Sequence, residues 1–462
     1  MALSRKSPIG QKSVIYRPRW PVIGRILFQQ GAVFQLLLLP PLAAALIGGE
    51  TRLAVALALS ALLAAAPALL HRRIAPPEDI RRIEAVLSVV MVFLIGVLLC
   101  TPAYVSLGLA PVDALFEATS ALTTTGFSMI AEPESLPVAA HVLRAWAQWC
   151  GGLVIAIAGL AFLMGRGPVS RALGFADFGE EPLESSTRKH ARALLLAYLS
   201  ITVTGMVGAI ILVPGPLEGP LLALTAVSTG GMTPRGDSLA SYPAAAQAFL
   251  VLLCSAGAIS LAVPVLMRRH GIAGTARASG LVSVLKFFLV GICATVLLHL
   301  LWGIRAPGEI WHGVLLILLM AIGGQTGSTA GGLKVERIRI LLGTVTLTLR
   351  RLQSPGKAVL YQRLDGELVE AERLGFTVAL VVTYVVAAFV LWVAFLLHGL
   401  PPLESLFDIV SALSTVGAGT GVIGPDLPQV LKFLAVIAML LGRVEFFGLL
   451  VLAHPGTWTR RD

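Results

Sequence analysis

Residues 115–126 read "LFEATSALTTTG" and residues 406–417 read "LFDIVSALSTVG". Far apart in the chain, the two segments share Leu, Phe, an acid, Ser, Ala, Leu, a hydroxyl residue, Thr and Gly in one order. An internal repeat reports on architecture, because each copy is one structural unit. Here each copy is a short apolar stretch closed by small polar residues and a glycine. A bilayer core takes about 20 apolar residues to cross, so neither stretch can span it. Each fits a half-helix that enters and leaves by the same side. Irregular backbone at membrane depth is tolerated only where it is buried in protein or lines a water-filled path. Two weaker copies lie between them, "LLALTAVSTGG" at 221–231 and "LMAIGGQTGST" at 319–329. The four are anchored on Gly126, Gly230, Gly327 and Gly417.

Composition agrees with a membrane setting. Of 462 residues, 56% are hydrophobic and 13% charged, with a mean hydropathy of +0.86. A water-soluble chain of this length would need more charge on its surface. The net charge of +10 comes from Lys and Arg clustered between apolar runs. A nucleic-acid binder would gather them on one face among aromatics, so no nucleic-acid partner is expected. Cys100, Cys150, Cys254 and Cys293 sit in apolar stretches without metal-ligand spacing and read as small hydrophobes. The first apolar run, about 24 residues, exceeds a signal h-region, so no cleaved leader is expected.

Candidate spans fall at 24–47, 52–71, 82–107, 140–165, 191–213, 243–267, 281–303, 330–350, 372–398 and 429–453. The expected fold is an all-α integral membrane protein with ten transmembrane helices and four re-entrant pore loops in a pseudo-fourfold arrangement. Drawn this way, the basic clusters fall on one side: Arg5 to Arg25, Arg72 to Arg82, Arg166 to Arg192, Arg268 to Arg277, Lys334 to Arg373, and Arg460 with Arg461. That side is cytoplasmic, and both termini share it. Short apolar stretches at 112–122, 217–227, 307–322 and 401–413 supply the half-helices. The chain divides into an N-terminal region with two extra helices (1–79) and four pore repeats (80–190, 191–280, 281–371 and 372–462).

Four such loops around one axis make a pore within one polypeptide. The fourth contains Thr415-Val416-Gly417, the start of a potassium-channel filter signature, in which backbone carbonyls replace an ion's hydration shell. Glycine accepts the backbone angles this demands. Thr and Ser add hydroxyls. A half-helix with its C-terminus toward the axis offers the negative end of its dipole to a cation. No carboxylate lies in the loops, which argues against a divalent-cation site. The eight histidines are scattered, no HExxH or GxSxG occurs, and an enzyme is not expected.

These features resemble the bacterial Trk/Ktr potassium-uptake family of the TrkH type. The most specific pieces are Thr124-Thr125-Gly126, Ser228-Thr229-Gly230-Gly231, "GSTAGGLK" at 327–334, Thr415-Val416-Gly417 and "LLGRVEFF" at 440–447. The resemblance implies potassium uptake across a bacterial cytoplasmic membrane, with K+ as substrate ion and no covalently bound cofactor. It implies a filter of Thr124, Thr125, Gly126, Phe127, Ser228, Thr229, Gly230, Gly231, Gln325, Thr326, Gly327, Ser328, Thr415, Val416, Gly417 and Ala418. It also implies a homodimer and a cytoplasmic nucleotide-binding regulatory subunit of the TrkA type. The alternative is a sodium-coupled or sodium-preferring transporter on the same fold. Glycine at 126 resembles the potassium-selective members, since plant relatives with serine there favour sodium.

Gate candidates follow the third filter. Gly331 and Gly332 would break a helix, so 327–334 reads either as an intramembrane loop below the filter or as a helix of small residues packed closely. Ala330 stands where the family usually has glycine, which could stiffen this loop. Arg443 lies inside the last span, where a charge defaults to a functional role. It reads as a pore-facing gate residue, with snorkelling or an ion pair as alternatives. Lys334 reads as a gate residue or an inside-positive anchor. The outer segments carry Glu117, Glu132, Glu134, Glu218, Glu309, Glu404, Asp408 and Asp426, as a cation-attracting vestibule or a solvated rim. Glu117 and Asp408 are equivalent in the repeat and suit hydrogen-bonded anchoring of the half-helices.

Overall fold

The computed structural model describes residues 18–70, 77, 80–163, 183–278, 280–302, 306–355, 358–365 and 367–458. The basic residues within 5–17, 72–73, 166–182 and 460–461 lie outside these, as do the side chains of Arg82, Arg188, Lys189, Arg269, Arg277 and Glu309.

The N-terminal region forms α1 (Trp20–Gln29), α2 (Gly31–Ile47) and α3 (Thr51–Leu70). The first repeat forms α4 (Arg82–Ser106), the short α5 (Pro111–Leu122) and α6 (Val138–Leu163). The second, expected over 191–280, begins before that boundary with α7 (Leu183–Leu212), followed by the short α8 (Glu218–Val227), α9 (Ala244–Gly257) and α10 (Ala262–Ala278). The third forms α11 (Leu281–Trp302), α12 (Ala306–Ile322) and α13 (Val335–Gln353). A small antiparallel hairpin, β1 (Arg363–Leu364) and β2 (Glu367–Leu368), then leads into the fourth: α14 (Ala371–Leu397), the short α15 (Pro402–Leu413), α16 (Gln429–Arg443) and α17 (Phe447–Ala453).

Four helices are long and apolar enough to cross a membrane among the described residues: Ile83–Ser106, Ala191–Leu212, Leu281–Leu298 and Ala371–Leu397. Three bent pairs, α1 with α2, α9 with α10 and α16 with α17, raise the count to as many as seven. Their bends are 40°, 77° and 118°. The expected spans 24–47, 243–267 and 429–453 are therefore broken rather than straight. The sharpest bend follows Arg443, where Glu445 and Phe446 both take positive φ. The candidate span at 330–350 also departs from expectation. Its helix starts only at Val335 and carries Glu336, Arg337, Arg339, Arg350 and Arg351, too many charges for an apolar crossing.

Short α5 and α15 begin alike, with Pro111 or Pro402 at the start and Asp113 or Glu404 in the first turn. Proline at the first helical position loses no hydrogen bond, and an acid there meets the positive end of the helix dipole. Their buried faces include nearly every residue from Phe116 to Leu122 and from Phe407 to Leu413. Charge distribution is inverted relative to a soluble protein. Glu84, Glu117, Gln148 and Asp408 have no exposed surface, while Leu62, Leu63, Leu289 and Val290 lie outside. Such an apolar exterior around a polar interior suits a lipid solvent. The N-terminal region is fastened to the first repeat by Arg19, whose Nε donates to Glu84 Oε1 at 2.7 Å. Trp20 stacks on Trp458 with centroids 4.6 Å apart, joining the two ends of the described chain.

Candidate functional site

Three of the four short helices end in the same way. In the first, the Thr124 amide donates to Ala121 O at 3.0 Å and the Thr125 amide to Ser120 O at 2.9 Å. In the second, Thr229 donates to Ala226 O at 3.0 Å and Gly230 to Thr225 O at 2.9 Å. In the fourth, Thr415 donates to Ala412 O at 3.1 Å and Val416 to Ser411 O at 2.9 Å. This paired pattern is the Schellman closure, which calls for a left-handed residue and normally uses glycine. Here that residue is threonine each time, with φ of 57° at Thr124, 54° at Thr229 and 50° at Thr415. A β-branched residue in that region is strained, and such strain gathers at functional sites. Glycine was the expected bearer of the unusual backbone; threonine carries it first, and Gly126 (φ 103°) and Gly417 (φ 79°) follow two residues on.

The shared pattern fixes the register of the repeat. Thr124, Thr229 and Thr415 correspond, then Thr125, Gly230 and Val416, then Gly126, Gly231 and Gly417. The second anchor is thus Gly231 rather than Gly230, a shift of one residue that matching glycines by eye does not resolve.

Those three glycines meet. A Cβ on Gly126 would lie 2.6 Å from Gly231 Cα, and one on Gly417 would overlap the Thr125 carbonyl oxygen and lie 2.9 Å from Gly126 Cα. One on Gly231 would sit 3.4 Å from Thr125 O and 3.5 Å from Val416 O. Gly126 and Gly417 leave no room for a Cβ where these segments converge, whereas one on Gly231 would make only ordinary contacts. Gly231 and Ala418 are exposed, whereas Thr124, Thr125, Ser228 and Thr415 are buried. The Thr124 and Thr415 hydroxyls have no hydrogen-bond partner in the protein. Carbonyl oxygens and orphaned hydroxyls, with no carboxylate among them, form a donor set that fits a monovalent cation as substrate. Phe127 is buried and stands against Gly419, whose added Cβ would lie 2.7 Å from its ring.

The third loop is built differently. Gly323, at φ 71°, ends its helix, and the carbonyls of Ala321 and Ile322 accept from Leu333 and Lys334 amides, each at 2.8 Å. The chain thus folds back on its own helix end, making 327–334 a loop rather than a close-packed helix. Gly327 (φ 78°) gives its carbonyl to the Leu261 amide at 3.2 Å, in the break between α9 and α10. Gln325 donates its amide to Ala258 O at 3.0 Å, and its side-chain oxygen accepts from Ser260 N at 2.9 Å. Ser328 Oγ donates to Gln325 O at 2.6 Å, and Thr326 is half-buried. Contact with the neighbouring loops runs through residues beyond Gly327. Thr329 Oγ1 reaches Val227 O at 3.2 Å, and a Cβ on Gly331 would overlap Ser414 O.

In the first, second and fourth repeats the second helix packs a glycine on its own short helix. Added Cβ atoms at Gly151, Gly257 and Gly442 would overlap Leu122 O, Val227 O and Leu413 O respectively. The residue after that glycine faces the next loop: Gly152 lies against Ser228, and Ala258 O against Gly324. Arg443 holds this position in the fourth repeat. It is 2% exposed, its Nη1 donates to Thr329 O at 2.7 Å, and its Nε and Nη2 have no protein partner. Burial rules out snorkelling, and a carbonyl stands where an ion pair was the alternative. Glu445 pairs instead with Arg337 at 2.7 Å. Lys334 is buried, takes φ 74° and donates Nζ to Ala330 O, which removes it from any surface anchor. Gly332 takes φ 79°, but Ala330 is not among the positive-φ residues, so its Cβ adds no backbone strain to the loop.

Glu117 and Asp408 anchor the chain after the first and fourth loops. Glu117 accepts from Met129 N at 2.9 Å and Arg144 Nε at 3.1 Å; Asp408 accepts from Thr420 N at 2.7 Å and Ile423 N at 2.8 Å. Sequence reasoning missed Arg144, which also donates to Thr233 O at 3.1 Å and so joins the first two loops. It missed Thr329, Gln148 and the Lys432–Asp113 pair at 2.6 Å as well. The signal was present for the charged ones, since a charge inside an apolar helix marks a site as surely at 144 and 432 as at 443. In the loop before α6, Glu134 accepts from the Gly236 amide at 2.5 Å, which holds its carboxyl below the usual carboxylate range.

A helical, multi-pass membrane protein in which backbone carbonyls and unpartnered hydroxyls gather where its loops meet belongs to the class of cation-handling proteins. The chain is a member of the TrkH family of cation transport proteins, whose profile it matches over residues 54–270 and 311–457. It is 30% identical to the Trk system potassium uptake protein TrkH of Halomonas elongata, over 76% of this chain and 80% of that one. It is 25% identical to an uncharacterised cation transporter of Methanocaldococcus jannaschii, over 82% of this chain and 84% of that one. The crystal structure of the potassium transporter TrkH from Vibrio parahaemolyticus superposes with a TM-score of 0.80 at 21% identity, covering 96% of this chain and 100% of that chain. That likeness establishes the fold. The family is one of transporters, not enzymes.

Proposed function

We propose that this protein takes up potassium ions through a channel-like pore, with a four-loop carbonyl filter and a gate beneath it. The reading is carried by one observation: Gly126, Gly231 and Gly417 converge, and the threonines two residues before the first and last of them, Thr124 and Thr415, have unpartnered buried hydroxyls. The potassium uptake proteins among its relatives support the choice of ion. In this reading each bent pair is one crossing, which with the four long apolar helices gives seven; α3, α6 and α13, the last with its charges kept from lipid, bring the number to ten, with four re-entrant loops around a pseudo-fourfold axis. The domain division of the sequence follows the same repeat. The Trp20–Trp458 stack supports placing both termini on one side, taken as cytoplasmic. A homodimer in a bacterial cytoplasmic membrane, served by a nucleotide-binding regulatory subunit, is the matching assembly.

The gate is the segment 327–334, tied to Arg443 through Thr329 O. A guanidinium below the filter repels cations and holds the loop across their path. Opening requires that bond to break. Rubidium and sodium flux in vesicles holding the purified protein tests the reading. Rubidium is expected to pass well ahead of sodium, and sodium passing equally or faster would establish the sodium-preferring alternative.

A further inference from the structure

Gln148, on α6, has no exposed surface, and neither its side-chain oxygen nor its nitrogen has a hydrogen-bond partner in the protein. A buried carboxamide without partners is costly, so its retention calls for a reason. Its neighbour supplies one. The three atoms nearest to a Cβ added at Gly230 are Gln148 Cδ and Oε1, both at 2.5 Å, and Nε2 at 2.7 Å. Gly230 does not have the positive φ that would itself demand glycine. Its counterparts in the first and fourth loops carry side chains, Thr125 and Val416. The second loop therefore lacks a side chain where the others have one, and a residue of the preceding repeat fills the gap.

The repeat shows that this filling is particular to one loop. Gln148 lies three residues before Gly151; the equivalent positions before Gly257 and Gly442 are Cys254 and Met439. Neither can donate two hydrogen bonds and accept others as a carboxamide does. In the first loop the side chain at the corresponding site is locally satisfied, with Thr125 Oγ1 at 2.7 Å from Thr123 Oγ1. The second loop has no such internal bond at Gly230.

We propose that Gln148 is a positioning residue for the second filter loop. Its carboxamide takes the volume of the missing side chain and hydrogen-bonds the Gly230-Gly231 backbone when the loop turns its carbonyls to an ion, so it sets ion discrimination. The proposal rests on the filter reading above. It differs from a purely structural role because it predicts an effect on the ratio of two fluxes rather than on both together.

The test has a transport arm and a packing arm. Gln148→Leu keeps the volume and removes the hydrogen bonding. In vesicles it is expected to lower the rubidium-to-sodium flux ratio by about tenfold. A ratio equal to wild type, in protein of normal yield, would overturn the proposal. The packing arm reads thermal unfolding in detergent and needs no transport. Gly230→Thr is expected to lower the midpoint, because its side chain meets Gln148, and adding Gln148→Ala is expected to restore it. Additive effects of the two changes would overturn the pairing even if Gln148→Leu failed to fold. A wild-type protein that does not distinguish the ions would refute the filter reading instead, and leave the midpoint coupling between 148 and 230 to be judged separately.

Discussion

In the first, second and fourth loops, amides just past the helix end return to that helix, as those of Thr125, Gly230 and Val416 do. In the third, the Gly323 amide also returns to Leu319 O, but the carbonyls of Ala321 and Ile322 are taken by Leu333 and Lys334 at the far end of the loop, and Gly327 is bonded to Leu261 of another repeat. Three loops thus begin with the same tight closure, while the third is a longer fold-back tied in addition to another repeat. A locally closed helix end is set by its own residues. A loop held from outside can change state when any of its holders moves, which is what a gate requires. The same contrast explains the placement of Arg443: its guanidinium bonds the third loop through Thr329 O.

Several changes would break or sharpen this contrast. The largest effect is expected from Gly417→Ala, whose Cβ would fall on the Thr125 carbonyl oxygen at a residue with φ of 79°. Rubidium flux should drop by about a hundredfold or more, since strain and overlap act on the same residue; retained selective flux would deny that these glycines form the narrowest point. Next, Arg443→Ala removes the charge-assisted bond to Thr329 O. Basal flux should rise about tenfold with selectivity intact, because the lost bond holds the third loop and not the other three. Flux unchanged at normal protein yield would remove Arg443 from the gate.

A smaller effect is expected from Gln325→Leu, which removes the bond to the Ser260 amide. Flux should rise by about two- to threefold in the same assay, the scale of one neutral hydrogen bond. A loss of selectivity as deep as that of Gly417→Ala would show that the third loop is as rigid as the others. The smallest concerns the anchors. Asp408→Asn sets an amide donor against the Thr420 or Ile423 amide, and should lower the unfolding midpoint by a few degrees (about 1–2 kcal/mol) while leaving the gate alone. Basal flux rising in this variant would link the anchor of the fourth loop to the gate after all.

Much of this was legible in the residues. The likeness of "LFEATSALTTTG" to "LFDIVSALSTVG" exposes the repeat, because helix start, apolar face and Schellman closure are all local and recur wherever the local sequence recurs. The anchoring roles of Glu117 and Asp408 followed from their equivalence in that repeat. Arg443 stood out because a charge in an apolar helix is expensive. Other features were out of reach. The charges of α13 were visible, yet the run from 330 to 350 read as a span because its first part, the folded-back loop, is apolar without being helical. Gln148 and Thr329 gave no sign, since an uncharged residue in a helix or loop acquires meaning only from what faces it.

The sequence by itself determined a membrane protein of repeated units, each with a short helix ended by hydroxyl residues and glycine, because dipoles, caps and apolar run lengths are properties of neighbouring residues. Tertiary structure decided which glycine of the second loop joins Gly126 and Gly417, which loop hangs from its neighbours, and what Arg443 holds. Those outcomes depend on atoms from different repeats coming within hydrogen-bond or van der Waals distance, and no local rule carries information across that gap in the chain.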